Sequence, residues 1–154
     1  SMRVSVSTYL DAPPERIWQE VCKTKLLKHV NHPLVKFIPI DPPEWPEIWV
    51  ENDYLNKMIL FGFLPFGDQV LGVRLEDQGD GYYRLRDEGH GDITEVWDHF
   101  IFLKPQGEGT HYTDEITVKA GWMTPIVGIF SWVLYHHRQR KWRKLVKSGF
   151  VYSE

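Results

Sequence analysis

The side chains best suited to moving a proton in this 154-residue chain sit on two neighbouring stretches, Trp97-Asp98-His99 and Tyr112-Thr113-Asp114-Glu115. On the second stretch, alternation places Tyr112, Asp114, Ile116, Val118 and Ala120 on one face and His111, Thr113, Glu115, Thr117 and Lys119 on the other. The first row is the apolar one and is assigned inward. Asp114 is then an acid on an apolar face, where burial raises a carboxyl's pKa unless a donor or cation compensates. On the first stretch, Trp97, His99, Ile101 and Leu103 compete with Val96, Asp98, Phe100 and Phe102. Each row has one polar group, so a period of two cannot choose between them. With Trp97 and His99 inward, His99 meets Asp114 across a hairpin, and the carboxylate orients the imidazole for proton transfer near neutral pH. The same two residues suit a structural pair that only satisfies itself.

Other rows suit binding better than bond-making. Tyr83, Leu85 and Asp87 form a further inward row, with Arg84, Arg86 and Glu88 on the solvated face, and Leu71, Val73 and Leu75 line the neighbouring strand. Core and pocket wall are built from the same apolar and aromatic residues, so these positions fit either role. Metal chemistry has little to build on. His29 and His32 are three apart, but no third ligand accompanies them, and His136-His137 is no better placed. Gly62 to Gly67 lacks the Lys-Ser or Lys-Thr of a phosphate loop, and CxxC, GxSxG and HExxH are absent. No metal and no cofactor is expected.

The elements that must position these residues read as a strand, two short helices, six strands and a long helix. Arg3 to Leu10 alternates and is rich in β-branched residues, and Pro13-Pro14 fit the first turn of a helix carrying Ile17, Trp18, Val21 and Cys22 at helical spacing. Lys25 to Val30 forms a second short helix, ended by Pro33. Strands are expected at Val35–Ile40, Lys57–Phe63, Asp68–Asp77, Tyr82–Glu88, Thr94–Leu103 and His111–Ala120, with a hairpin turn at Gly79-Asp80-Gly81. Short turns imply an antiparallel meander, and strands grouped between helices imply α+β rather than a doubly wound fold. Gly62, Gly67, Gly72 and Gly89 are the expected bend points.

The last element is the most telling. From Thr124 to Lys147 a helix of roughly 36 Å carries an apolar first half, Ile126 to Tyr135, that is hydrophobic nearly all round. An ordinary surface helix has one apolar stripe. A curved sheet gripping the helix would cover more of it and leave a cavity, roofed by Ile126, Phe130 and Trp132 and lined by Leu71, Val73, Tyr83, Leu85, Trp97, Tyr112 and Ile116. The second half holds six Lys or Arg residues from Arg138 to Lys147, read as a solvated end matched to the helix dipole, with an anionic surface or ligand as the rival.

Composition bounds the rest. The chain fits one domain, and 7 Trp, 7 Tyr and 8 Phe supply abundant apolar surface. A single cysteine excludes an internal disulfide, and with no apolar leader after Met2 the expected compartment is the cytoplasm. A formal net charge of −3 argues against a nucleic-acid partner, and no apolar run reaches the ~20 residues of a membrane span.

The opening strand leading into Asp11-Ala12-Pro13-Pro14-Glu15-Arg16-Ile17-Trp18, the Pro105 to Thr110 hairpin and the closing helix, taken in order over nearly the whole chain, resemble the superfamily of START-related lipid-transfer domains, birch-pollen-type allergens and polyketide cyclases, abbreviated SRPBCC. Phe61 to Gly67, Trp97-Asp98-His99 and Tyr112 to Glu115 are similar to a bacterial subgroup of it. The resemblance implies an α+β helix-grip fold, a curved seven-stranded antiparallel sheet around a long C-terminal helix with a deep apolar cavity between them. It does not imply one chemistry. Three readings follow: binding of a small hydrophobic or amphipathic molecule, lipid-like or polyketide-like; a cyclase-type enzyme using His99 and Asp114; and an interaction module contacting a protein or membrane surface.

Overall fold

A computed structural model describes residues 1–152. The chain runs β1 (Met2–Leu10), α1 (Pro14–Val21), α2 (Thr24–Asn31), β2 (Val35–Asp41), β3 (Asn52–Leu60), β4 (Leu64–Gly79), β5 (Tyr82–Gly91), β6 (Val96–Gln106), β7 (Gly109–Lys119) and, after a short 3-10 turn, α3 (Thr124–Lys147). The seven strands form one antiparallel sheet in the order β1-β7-β6-β5-β4-β3-β2. This is the expected α+β helix-grip architecture. α3 packs on β1 and β7 and touches α2, while α2 also meets β2, so the helices bridge the two edges of the curved sheet.

β3 begins at Asn52, five residues before the expected Lys57, and the reason is a buried amide. Asn56 is fully buried on an otherwise apolar row and breaks the alternation. Its Oδ1 accepts from Trp45 Nε1 at 2.8 Å and its Nδ2 donates to the Tyr54 carbonyl at 2.8 Å, so its burial is compensated. The hairpin from β3 to β4 is tight, with Phe61 and Gly62 both at positive φ. Phe66 and Gly67, expected in the turn, instead lie in β4 as a bulge opposite Met58, with Gly67 at φ 75°. Such a bulge bends a strand and sharpens its twist.

A second device sits in the middle of β4. A Cβ on Gly72 would lie 2.4 Å from the Glu88 carbonyl oxygen of β5, and the Gly72 N–H donates at 2.9 Å to Oδ1 of Asp87 rather than to that strand's backbone. Gly72→Ala is expected to lower stability by about 1–3 kcal/mol, read as a shift of the urea midpoint at unchanged m; an unchanged midpoint would show that β4 and β5 can separate freely here.

The structure also decides the ambiguous strand. Trp97, His99, Ile101 and Leu103 are buried, at 7%, 4%, 4% and 1% exposure, and the alternative row lies outward. α3 turns one face inward, with Val127, Ser131, Leu134, Tyr135, Arg138, Gln139, Trp142 and Leu145 buried. No helix among the described residues is long and apolar enough to cross a membrane.

Candidate functional site

Between the sheet, α2 and α3 lies a narrow cavity of about 60 Å³, room for roughly two waters. Its apolar walls include Leu71, Val73, Leu85, Ile101 and Trp97 from the sheet and Leu26, Leu27 and Leu134 from the helices. Its polar lining is Asn31, Gln69, Asp87, His99 and Arg138, all buried.

The polar groups form one network centred on Asp114. Asp114 Oδ1 accepts from His99 Nε2 at 2.8 Å and from the Tyr112 hydroxyl at 3.1 Å, and Oδ2 accepts from Gln139 Nε2 at 3.1 Å. Arg138 Nη2 lies 4.0 Å from Oδ1, and Arg138 Nη1 donates to Asn31 Oδ1 at 3.3 Å. Burial by itself would raise the Asp114 carboxyl, but the His99 hydrogen bond, the Arg138 charge and the Gln139 donor outweigh it and hold the pKa below the ordinary value. Asp114 is therefore an ionised acceptor. It follows that Nε2 of His99 carries the proton and Nδ1 the free lone pair. Burial lowers the pKa of His99 despite the carboxylate beside it, so the imidazole is neutral at pH 7.

Asp87 is the second buried acid at this site, directly across from His99 in the β5 and β6 pairing. Desolvation pushes its pKa up to about 7, against the Gly72 N–H and the Arg138 charge, which lower it. The cavity wall thus carries one cation, Arg138, and one carboxyl, Asp87, poised between its two forms, with the Asp114 anion behind His99.

The structure brings together His99, Asp114, Leu71, Val73, Leu85 and Trp97 at or beside the cavity. Tyr112 and Ile116 are buried in the core and do not line it, although the Tyr112 hydroxyl reaches Asp114. Tyr83 lies elsewhere, stacked on Trp18 with ring centroids 5.0 Å apart. The expected roof is corrected: Ile126 and Trp132 are 56% and 55% exposed on the outer face of α3, and half-buried Phe130 packs edge-on against Phe61. The roof is made by Leu134, Tyr135 and Arg138, one to two turns later. The reading of the basic half as solvated also fails at one residue, since Arg138 is 3% exposed. A signal existed: Arg138 continues the inward stripe of Leu134 and Trp142 at a spacing of four. Among the described residues no group of three or more His, Cys, Asp or Glu side chains is placed to hold a metal ion.

Solved structures share this arrangement. A START superfamily protein from Mycobacterium smegmatis superposes with a TM-score of 0.64 at 15% identity, covering 96% of this chain and 99% of its own. The Thermus thermophilus protein TTHA0849 gives 0.64 at 14% identity over 97% and 100% of the two chains. Ara h 8.0201 gives 0.63 at 11% identity over 96% and 98%. At these identities the likeness establishes the fold, which is that of the SRPBCC proteins. No curated protein matches the sequence. A family described as a domain of unknown function, DUF8410, matches residues 8–146, so the chain belongs to the DUF8410 family.

Proposed function

We propose that this protein binds a compact hydrophobic or amphipathic molecule in the cavity between the sheet, α2 and α3. The observation that carries the reading is the cavity itself: apolar walls from the sheet and the helices, closed over a small set of buried polar groups, the usual composition of a ligand site. The fold shared with START and Ara h 8 proteins supports it. At about 60 Å³ the space is well short of the ~150 Å³ that takes up benzene, so a small ring enters only as the lining side chains give way, and a lipid-like or polyketide-like ligand only if α2 and α3 part.

The test joins native mass spectrometry of freshly purified protein, followed by organic extraction, to titration with small apolar compounds read by the fluorescence of Trp49 and Trp97, both of which line the cavity. Val73→Phe, which places a ring where the ligand would sit, is expected to abolish uptake at a stability cost of about 1–3 kcal/mol. Absence of any retained or added compound in the wild type would defeat the reading.

A second reading rests on His99. Its lone pair on Nδ1, set by the Asp114 bond on Nε2, belongs to a cavity-lining residue and suits a general base. A carrier returns its ligand unchanged, whereas this base would exchange an acidic ligand proton for deuterium, and His99→Gln would stop the exchange.

A further inference from the structure

Beside the open lone pair of His99 Nδ1, the cavity lining also carries unmet donors. Both Asp114 oxygens accept from protein donors, and Gln69 Oε1 accepts from the Thr94 hydroxyl at 2.9 Å. Two donors on cavity-lining side chains, Arg138 Nε and Gln69 Nε2, have no protein partner among the described residues. Each of these side chains belongs to a residue only 3% exposed. A buried N–H left unmet costs its full desolvation, and a guanidinium can only donate. A ligand that meets these two donors must bring acceptors.

Charge narrows the class of acceptor. The Arg138 cation already faces the Asp114 carboxylate at 4.0 Å, and Asp87 adds a second carboxyl to the cavity wall opposite His99. A ligand carboxylate would be a further anion in a space with one guanidinium, where unpaired charge is most costly. A neutral carbonyl oxygen offers two lone pairs without that charge.

We propose that the cavity selects a compact apolar molecule bearing an uncharged carbonyl (a ketone, ester or amide), whose oxygen accepts from Arg138 Nε, with Gln69 Nε2 as the second donor and the apolar body against Leu71, Val73, Leu85 and Ile101. This rests on the ligand-binding reading above and specifies its chemistry.

The experiment compares cyclopentanone, methylenecyclopentane (the same shape with oxygen replaced by a methylene) and cyclopentanecarboxylate, titrated to about 20 mM into the ¹⁵N- and methyl-labelled full chain. The ketone is expected to bind at least tenfold tighter than the hydrocarbon and to shift the Arg138 Nε–H and Gln69 side-chain amide signals. The carboxylate is expected to bind more weakly than the ketone. Arg138→Lys, which keeps the charge beside Asp114 but removes Nε–H, should cut the ketone's advantage at least fivefold. Should that variant fail to fold, the wild-type comparison and its Nε–H shift decide alone. Equal binding of ketone and hydrocarbon, a ketone advantage that leaves both donor signals unmoved, or tightest binding of the carboxylate would overturn the carbonyl proposal and leave the cavity a ligand site. No shift of the Leu71, Val73 and Leu85 methyls with any of the three would overturn the ligand-binding reading and this proposal together.

Discussion

Asp114→Asn is expected to lower stability by about 3–5 kcal/mol and the melting temperature by roughly 6–20 °C. The carboxylate is 1% exposed and holds three donors, from His99, Tyr112 and Gln139, together with the Arg138 cation. An asparagine keeps one acceptor oxygen but turns an amide toward at least one of those donors, and it leaves a buried guanidinium without its counter-charge. Removing one member of a buried ion pair is far more damaging than removing both. Asp114→Asn combined with Arg138→Met should therefore recover a substantial part of the loss. Urea unfolding of the two single variants and the double closes the cycle. If the double variant loses the sum of the two single losses, Asp114 and Arg138 do not act as a pair, and the charge argument for a neutral ligand loses its basis.

The elements were legible where backbone chemistry is local. Gly79-Asp80-Gly81 forces positive φ at three successive residues and marks its hairpin from sequence alone, and Pro14 at the start of α1 does the same for that helix. The Asp114 row was legible because a single polar residue interrupts a clean alternation. The β6 row was not, since His99 and Asp98 give both faces one polar group. What settles it is tertiary: His99 has Asp114 to bond inside, while Asp98 pairs outside with Arg86, whose Nε lies 2.9 Å from Oδ1.

The long helix misled for a related reason. An all-round apolar segment implies burial all round, yet Ile126, Ile129, Trp132 and Val133 remain exposed, because the sheet covers one side of α3 and nothing among the described residues covers the other. Charge hid the converse case. Arg138 sits among five other cations in sequence but on the inward stripe in space, and composition outweighed periodicity in its assignment. Gln69 and Asn31 gave no signal, because a buried amide is visible in sequence only once its partners are placed.

Asp87→Asn is expected to stabilise the protein above neutral pH, an unusual sign for a substitution in a buried network. The folded-state pKa of Asp87 is raised to about 7 from an ordinary 3.8, chiefly by desolvation. A raised pKa means that the folded state binds the proton more tightly than the unfolded chain. The stability this contributes is fully present below about pH 4 and is lost as pH rises through about 7. Asparagine mimics the protonated form at every pH, and its Oδ1 can still accept from the Gly72 N–H that Asp87 now holds at 2.9 Å. The difference in unfolding free energy between variant and wild type should stay near its acid value below pH 4, climb between pH 4 and 7, and level off above, with a rise on the order of 4 kcal/mol. Taking the difference removes terms common to both proteins. Among these is Glu20, whose burial would raise its pKa but whose bonds to Tyr152, Arg16 and Lys23 bring it to about 2, so that its contribution is lost in acid instead. Arg138, Asp53 and Asp98 also act on Asp87, and the titratable group facing it across the β5 and β6 pairing is His99. Its pKa is lowered by burial, so it stays neutral across the upper part of the climb. A difference curve flat from pH 4 to 8 would show that Asp87 is ionised throughout, and Arg138 would then stand against two carboxylates, Asp87 on the cavity wall and Asp114 behind it.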